Sequence, residues 1–362
     1  MKKIITFLVM LVLIPINVNG FDSVGQCTIL MDQDSGRVLY AKDVHTIRSV
    51  ASISKIMTAV VAIESNKLDD EVEMGEEILK AYGSAIYIKV GEKMSLRNLL
   101  YGLMLRSGND AAIAIANYVS GSVEDFVTQM NRKAKEIGMK NTTFNNPSGL
   151  DNEKANYSTA YDMAILTSYA MKSAIYKEIV STKSHTVKTN MNTYVWTNKN
   201  KLLNMYKYTT GGKTGFTEVA KRTLVSTATK DNLNLVVVTL NNGNDFNEHV
   251  SLYEEAYQAY SRYDILKKGI INIYDENYYK DHELYVKNNF SYPLSSYEKD
   301  TILLKFEIEK KRFFSNDEKV GIVKVMIGEK KVHEEIIYVK EKKTTEKKGI
   351  FKRFFDWIKN LW

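Results

Sequence analysis

Strand-like segments lie on both sides of a long helical middle, so a sheet built from them must gather pieces that are far apart along the chain. Cys27 to Asp32 and Arg37 to Ala41 flank the turn Asp34-Ser35-Gly36 and read as a hairpin. Thr223 to Thr229 and Leu233 to Leu240, separated by Lys230-Asp231-Asn232, read as another, and roughly three strands are expected after Thr209. Between these regions Ser52 to Met171 is dominated by helical patterning, and a closing helix is expected from His249 to Tyr263. The arrangement predicts an α+β fold with helices packed about a sheet.

Three short strings stand out against this frame: Ser52-Ile53-Ser54-Lys55, Ser107-Gly108-Asn109 and Lys213-Thr214-Gly215. A hydroxyl is a poor nucleophile at neutral pH and needs a proton acceptor within hydrogen-bond reach. Ser52 and Lys55 are three apart at the start of a helix, because Ile53 through Glu64 contain no Gly or Pro; that spacing puts both on one face. The positive end of the helix favours an alkoxide and disfavours a protonated lysine, so Lys55 can serve as base. Taken alone, the string is equally an N-cap serine followed by a solvated lysine. Ser107-Gly108-Asn109 sits between the apolar helical stretches Leu96 to Leu105 and Ala111 to Tyr118, with Gly108 as the breaker. Such a loop can thrust Ser107 into a cleft to relay a proton and Asn109 to hold a substrate carbonyl; it is equally an ordinary helix-to-helix turn. Gly211, Gly212 and Gly215 leave room for a ligand backbone along a strand edge, where Lys213 and Thr214 offer a cation and a hydroxyl to a carboxylate.

Together the strings resemble the active-site triple of the serine penicillin-binding proteins and β-lactamases. Within that superfamily the chain is similar to the D-alanyl-D-alanine carboxypeptidases of low molecular mass. The likeness extends to Asp34-Ser35-Gly36-Arg37-Val38-Leu39-Tyr40, Leu99-Leu100-Tyr101-Gly102-Leu103-Met104-Leu105, Asn146-Pro147-Ser148-Gly149-Leu150, Ser158-Thr159-Ala160-Tyr161-Asp162-Met163-Ala164 and Asn198-Lys199-Asn200-Lys201-Leu202-Leu203, and covers residues 24 to about 262. It implies a β-lactamase/transpeptidase-like antiparallel sheet with flanking helices and a helical subdomain. It also implies that Ser52 forms an acyl-enzyme, Lys55 is the acylation base, Ser107 passes the proton to departing D-alanine, Asn109 orients the peptide, and Lys213 and Thr214 hold the terminal carboxylate. Gly215 lies within the substrate-binding edge. The N–H groups of Ser52 and Phe216 would form the oxyanion hole, at about 3 kcal/mol per donor. The substrate implied is the peptidoglycan stem pentapeptide, and β-lactams are the implied acylating inhibitors; no cofactor is implied.

Two positions depart from many relatives: Ser148 stands where they carry His, and Ala220-Lys221-Arg222-Thr223 where they carry Ala-Gly-x-Cys. Neither position is expected to do chemistry. The pairing of Gly-Gly-Lys-Thr-Gly with Ala-Lys-Arg-Thr resembles the sporulation-associated branch in Gram-positive bacteria. No Glu-x-x-Leu-Asn string lies between Ser107 and Lys213, which argues against efficient β-lactam hydrolysis. A β-lactamase or transpeptidase of the same superfamily, and a catalytically silent wall-binding scaffold, remain alternatives.

The ends of the chain address location. Lys2 and Lys3 precede an apolar run from Ile4 to Ile16, and Val18-Asn19-Gly20 ends in a small residue, so residues 1 to 20 read as a secretory signal peptide. The lone Cys27 has no partner for an internal disulfide. The formal charge of +7 is concentrated at Lys2, Lys3 and residues 340 to 362, leaving the body near neutral and giving no support for nucleic-acid binding. Residues 266 to 340 read as a small all-β domain following the catalytic region 21 to 265, with Thr301 to Glu309, Val320 to Ile327 and Val332 to Val339 as strands. Residues 341 to 348 form a charged linker. In residues 349 to 362 the apolar side chains fall on one helical arc of roughly 160° opposite a basic face, as in a helix lying on an anionic membrane surface. This predicts an exported enzyme held at the outer face of the cytoplasmic membrane. His45, His185, His249, His282 and His333 show no ligand spacing, so metal binding is not expected.

Overall fold

A computed structural model describes residues 21–151, 154–274, 276 and 278–342. The expected leader (1–20), most of the linker and the tail helix (349–362) lie outside the described residues. The protein mixes helix and sheet, and its described residues form two compact units. One takes residues up to Gln33, Val38–Ala228 and Leu235–Glu255; the other takes Asp34–Arg37, Thr229–Asn234 and Ala256 onward.

The first unit is organised by a five-stranded antiparallel sheet. Its strands are β1 (Cys27–Asp32), β2 (Val38–Lys42), β3 (Thr209–Thr217), β4 (Lys221–Lys230) and β5 (Leu233–Leu240), in the order β2-β1-β5-β4-β3. β1 pairs with β5 from Cys27 opposite Leu240 to Asp32 opposite Leu235, joining the two ends of the unit. Both are central strands, and the continuous apolar run of β5 is buried on both faces, as a covered strand requires. β3 is an edge, and that puts the Lys213-Thr214-Gly215 string where a ligand can approach its backbone.

The helix Lys55–Glu64 runs through the core among the other helices, and residues Lys55 through Ala62 are all buried, as its mainly apolar sequence dictates. The Leu96–Tyr101 helix continues as a π turn over Gly102–Arg106. Gly102 lets Ile86 pack closely there: a Cβ would come within 2.6 Å of Ile86 Cδ1. The backbone reverses at Ser107, which is left-handed (φ 64°, ψ 35°), before the helix Asn109–Ser120 begins. The break therefore falls on Ser107 and not on the expected Gly108, whose φ is −60°.

Two other expectations are corrected. The closing helix spans Asp245–Ala259, with Asp245 and Glu248 in its first turn, and Ser261–Leu266 is a strand paired with Phe290–Leu294. Acidic side chains complement the positive helix start, which explains a beginning upstream of His249. Gly211 and Gly212 make room for the protein itself: a Cβ at Gly211 would meet Val180 at 2.4 Å, and one at Gly212 would meet the Val225 carbonyl at 2.3 Å.

The second unit holds a five-stranded sheet with the order Gly269–Ile270, His282–Val286, Lys330–Glu341, Glu318–Ile327, Ile302–Ile308. Val286, Val320, Val323, Val325, Ile337 and Val339 form its core. Along Ile302–Ile308 half-buried and exposed residues alternate, as a strand with one wet face demands.

Candidate active site

A cleft of about 410 Å³ opens where the edge strand β3 meets the starts of two helices, and Ser52, Ser107, Thr214, Gly215 and Phe216 all line it. Lys55, Asn109 and Lys213 lie beneath, each 2 % exposed or less. The eight residues singled out from sequence thus converge on one place, at two depths.

Ser52 sits in a 3₁₀ turn, Ala51–Ser54, that feeds directly into the helix beginning at Lys55. Ala51 is left-handed (φ 50°), a strained conformation for a residue with a Cβ, placed immediately before the hydroxyl. The surroundings enforce it. Val50 N–H donates to Asn156 O (3.2 Å), Thr223 Oγ1 donates to Val50 O (3.1 Å), and Ser54 Oγ donates to Ala51 O (2.8 Å). Gly149 backs onto the same peptide, where a Cβ would stand 2.0 Å from Ala51 O. A Cβ on Gly215 would come within 3.0 Å of the Ser52 nitrogen, so the strand edge lies directly against the Ser52 N–H.

Lys55 Nζ is 3.1 Å from Ser52 Oγ, 2.7 Å from Asn109 Oδ1 and 2.5 Å from Ser148 O. Burial, then the charges of Lys213 and Lys199, hold its pKa well below the ordinary lysine range, against a smaller opposing pull from Asp110. Proton accounting then assigns the contacts. In its neutral form the amine has two N–H donors and one lone pair; Ser148 O and Asn109 Oδ1 can only accept, so in that form the lone pair faces the Ser52 hydroxyl.

The Ser148 carbonyl is a functional group that sequence reasoning missed. Asn146 Oδ1 accepts from the N–H of Ser148 (3.1 Å) and of Gly149 (2.7 Å), and this turn presents the carbonyl to Lys55. Asn109 is also tied internally: its Nδ2 donates to Tyr82 O at 2.6 Å. Next to it, Asp110 accepts from the N–H groups of Ile86 and Tyr87, at 3.0 and 2.8 Å. Asn109 and Asp110 therefore fasten the 82–88 loop beside the cleft, a long-range role with no local sequence signal.

Lys213 donates to Thr214 O at 2.7 Å, and burial followed by the Lys199 charge pushes its pKa down to about 7. An unfolded lysine titrates near 10.4, so between about pH 7 and 10 the unfolded chain binds a proton that the folded one lacks. Stability from this group therefore rises with pH across that window and levels off above it. Lys213→Met is expected to stabilise the fold by about 1–4 kcal/mol at pH 7 while impairing turnover. Thermal melts from pH 7 to 10 should show wild type gaining on the variant; parallel curves would count against a charge-destabilised Lys213.

The cleft also holds Ser84, Lys199, Lys201, Arg222, Asp245 and Phe246, none of which the sequence reading singled out as site residues. Among the described residues no cluster of His, Cys, Asp and Glu has the makings of a metal site.

Comparison with known proteins identifies the family. The chain is 36 % identical over 242 residues to the D-alanyl-D-alanine carboxypeptidase DacF of Bacillus subtilis, covering 65 % of this chain and 62 % of the relative. It is 39 % identical over 220 residues to the D-alanyl-D-alanine carboxypeptidase of Streptomyces sp. strain K15, covering 55 % of this chain and 75 % of the relative. The match thus spans less than two thirds of the B. subtilis protein's length. The crystal structure of penicillin binding protein 5 from Haemophilus influenzae superposes with a TM-score of 0.75 at 26 % identity, over 88 % of this chain and 96 % of that one. A family model described as D-alanyl-D-alanine carboxypeptidase matches residues 19–244, more than half of the sequence, and the chain belongs to that family.

Proposed function

We propose that this protein is a serine-type D-Ala-D-Ala carboxypeptidase that removes the terminal D-alanine from peptidoglycan stem pentapeptides and is acylated by penicillin. The observation that carries the reading is the buried Lys55 amine, 3.1 Å from Ser52 Oγ, with its other partners restricted to acceptors. Ser52 Oγ gives its proton to Lys55 and bonds to the carbonyl carbon of the penultimate D-alanine. The carbonyl oxygen becomes an oxyanion, received by the N–H groups of Ser52 and Phe216. Collapse breaks the peptide bond. Ser107, on the cleft wall, relays a proton to the departing amine while the acyl group stays on Ser52. Water then cleaves the ester and returns the hydroxyl. Asn109 positions Lys55 and the adjoining loop, and Lys213 and Thr214 mark the end of the site that takes the substrate carboxylate. Labelling by a fluorescent penicillin tests this reading: wild type should label and Ser52→Ala should not. A folded wild type that fails to label would contradict it.

The first unit serves as the catalytic domain in this reading, and the β-sheet unit as a spacer or docking element. Residues 1–20 direct export, and residues 349–362 hold the enzyme at an anionic membrane surface, where the wall precursors are made. Among the described residues no helix is long and apolar enough to cross a membrane. Deleting residues 349–362 should move the protein from the membrane to the soluble fraction; unchanged membrane association would sink the anchor.

A further inference from the structure

We propose that Asp151 is a positioning residue for acyl transfer: through Thr217 it holds the end of β3 so that the Phe216 N–H stays where an oxyanion formed at Ser52 needs it. The proposal rests on the carboxypeptidase reading and adds a residue that supports its oxyanion hole.

The need for such a tie follows from the place of the strand. β3 is an edge strand, with a ladder to β4 on one side and the cleft on the other. On the β4 side the hairpin is fastened twice, by Thr223 Oγ1 donating to Val50 O at 3.1 Å and by Arg222 pairing with Asp245 at 2.5 Å. On the cleft side the residues nearest Ser52 give little hold: Gly215 has no side chain, and Phe216 is 58 % exposed. Yet the Phe216 N–H has to reach the same oxygen as the Ser52 N–H, each at about 2.7–3.1 Å, so little drift of the strand end is tolerated.

Thr217, the last residue of β3, supplies the hold. Its Oγ1 accepts from the N–H of Ala220 at 3.0 Å, which closes the turn into β4, and donates to Asp151 Oδ2. Ser49 Oγ donates to the other oxygen, Asp151 Oδ1, at 2.5 Å. Ser49 is buried and stands three residues before Ser52, where Arg48–Ser49 pairs with Tyr157–Ser158. One carboxylate thus joins the strand end to the segment that leads into Ser52.

The main chain of Asp151 belongs to the same framework. It follows Leu150 on the loop whose Ser148 carbonyl accepts from Lys55 and whose Gly149 backs onto Ala51. Asp151 stays out of the cleft lining, so it acts through Thr217 and touches no substrate. Accepting from two hydroxyls takes two acceptor oxygens, and an asparagine of the same shape keeps only one. Asp151→Asn therefore releases a tie without opening a cavity.

The test measures turnover of a blocked peptide ending in D-alanyl-D-alanine, and inhibition by a peptide boronic acid, in wild type, Asp151→Asn, Thr217→Val and Thr217→Ser. The boron takes Ser52 Oγ as its fourth ligand while the hydroxyl proton passes to Lys55, and the tetrahedral adduct presents an oxygen to the oxyanion hole. Asp151→Asn and Thr217→Val should each lower kcat about 10- to 100-fold with KM changed less than about twofold, since a displaced N–H matters only once the oxyanion forms. Boronate affinity should fall by a similar factor. Thr217→Ser keeps the hydroxyl and should recover most of the loss, and the double variant Asp151→Asn/Thr217→Val should be no worse than the worse single one. A tie that serves the fold alone would lower the melting temperature and leave kcat and boronate affinity of the folded enzyme unchanged. That result, a loss carried by KM alone, or a Thr217→Ser as impaired as Thr217→Val would each overturn the assignment. A folded wild type that turns over no such peptide would overturn the carboxypeptidase reading and this proposal with it.

Discussion

Lys55→Met is expected to lower kcat/KM for a D-Ala-D-Ala peptide by about 10⁴-fold or more, with the protein still folded. Ser52→Ala should do the same, and the double variant should be no worse than either single one, because the pair acts as one unit. The structure gives the reason. Lys55 is fully buried, its two remaining partners are acceptors, and in the proposed reaction its amine takes the Ser52 proton. Folding should survive because a methionine of similar length fills the space and removes a costly buried cation. The pH profile follows from the same burial. Acylation needs neutral Lys55, so its acid limb should lie well below the ordinary lysine range. Lys213→Met removes one of the positive charges that hold this pKa down, so the limb should move to higher pH in that variant. Pre-steady-state acylation between pH 5 and 10 reads both effects; a limb that ignores Lys213 would refute the coupling.

Gly149→Ala is expected to destabilise the fold by about 2–4 kcal/mol and to cut turnover about 100-fold. Gly149 is left-handed at φ 79°, and the added carbon would overlap Ala51, 2.0 Å from its oxygen and 2.5 Å from its carbonyl carbon. These are backbone atoms of the residue before Ser52, so relief requires moving Ser52 itself. Gly36→Ala is the control. Its φ is 70°, yet nothing lies within 4 Å of the added carbon, so only left-handed strain of about 1 kcal/mol is expected, with activity intact. Urea melts and turnover for both variants check the contrast. Equal behaviour would mean that the contact at Ala51 is unimportant.

Much of this could be read from the sequence where the cause is local. The i, i+3 spacing of Ser52 and Lys55, the turn at Asp34-Ser35-Gly36 and the run of β-branched residues in β5 each act within a few residues. What escaped depends on distant partners. The hairpin Ser184–Lys188 with Thr193–Thr197 shows alternating exposure that puts Tyr194 and Trp196 inside, a signal present in Thr193-Tyr194-Val195-Trp196-Thr197 but hidden by its short length. The left-handed Ala51 and Ser107 could not be foreseen, since alanine and serine rarely adopt that conformation and only packing imposes it. The Ser148 carbonyl carries no side-chain signature at all. Gly211 and Gly212 read as ligand clearance because a sequence does not say which neighbour a missing Cβ admits. Arg222 lies outside the three strings, and only the β3–β4 register brings it to the cleft.

The central claim is that Ser52, activated by Lys55, cleaves the terminal D-alanine. The most direct measurement is release of free D-alanine from a stem pentapeptide by the purified enzyme, followed beside Ser52→Ala. The account predicts one D-alanine per tetrapeptide formed and none from the variant. Release that persists in Ser52→Ala, or a wild type that binds penicillin at Ser52 yet frees no D-alanine, would contradict it.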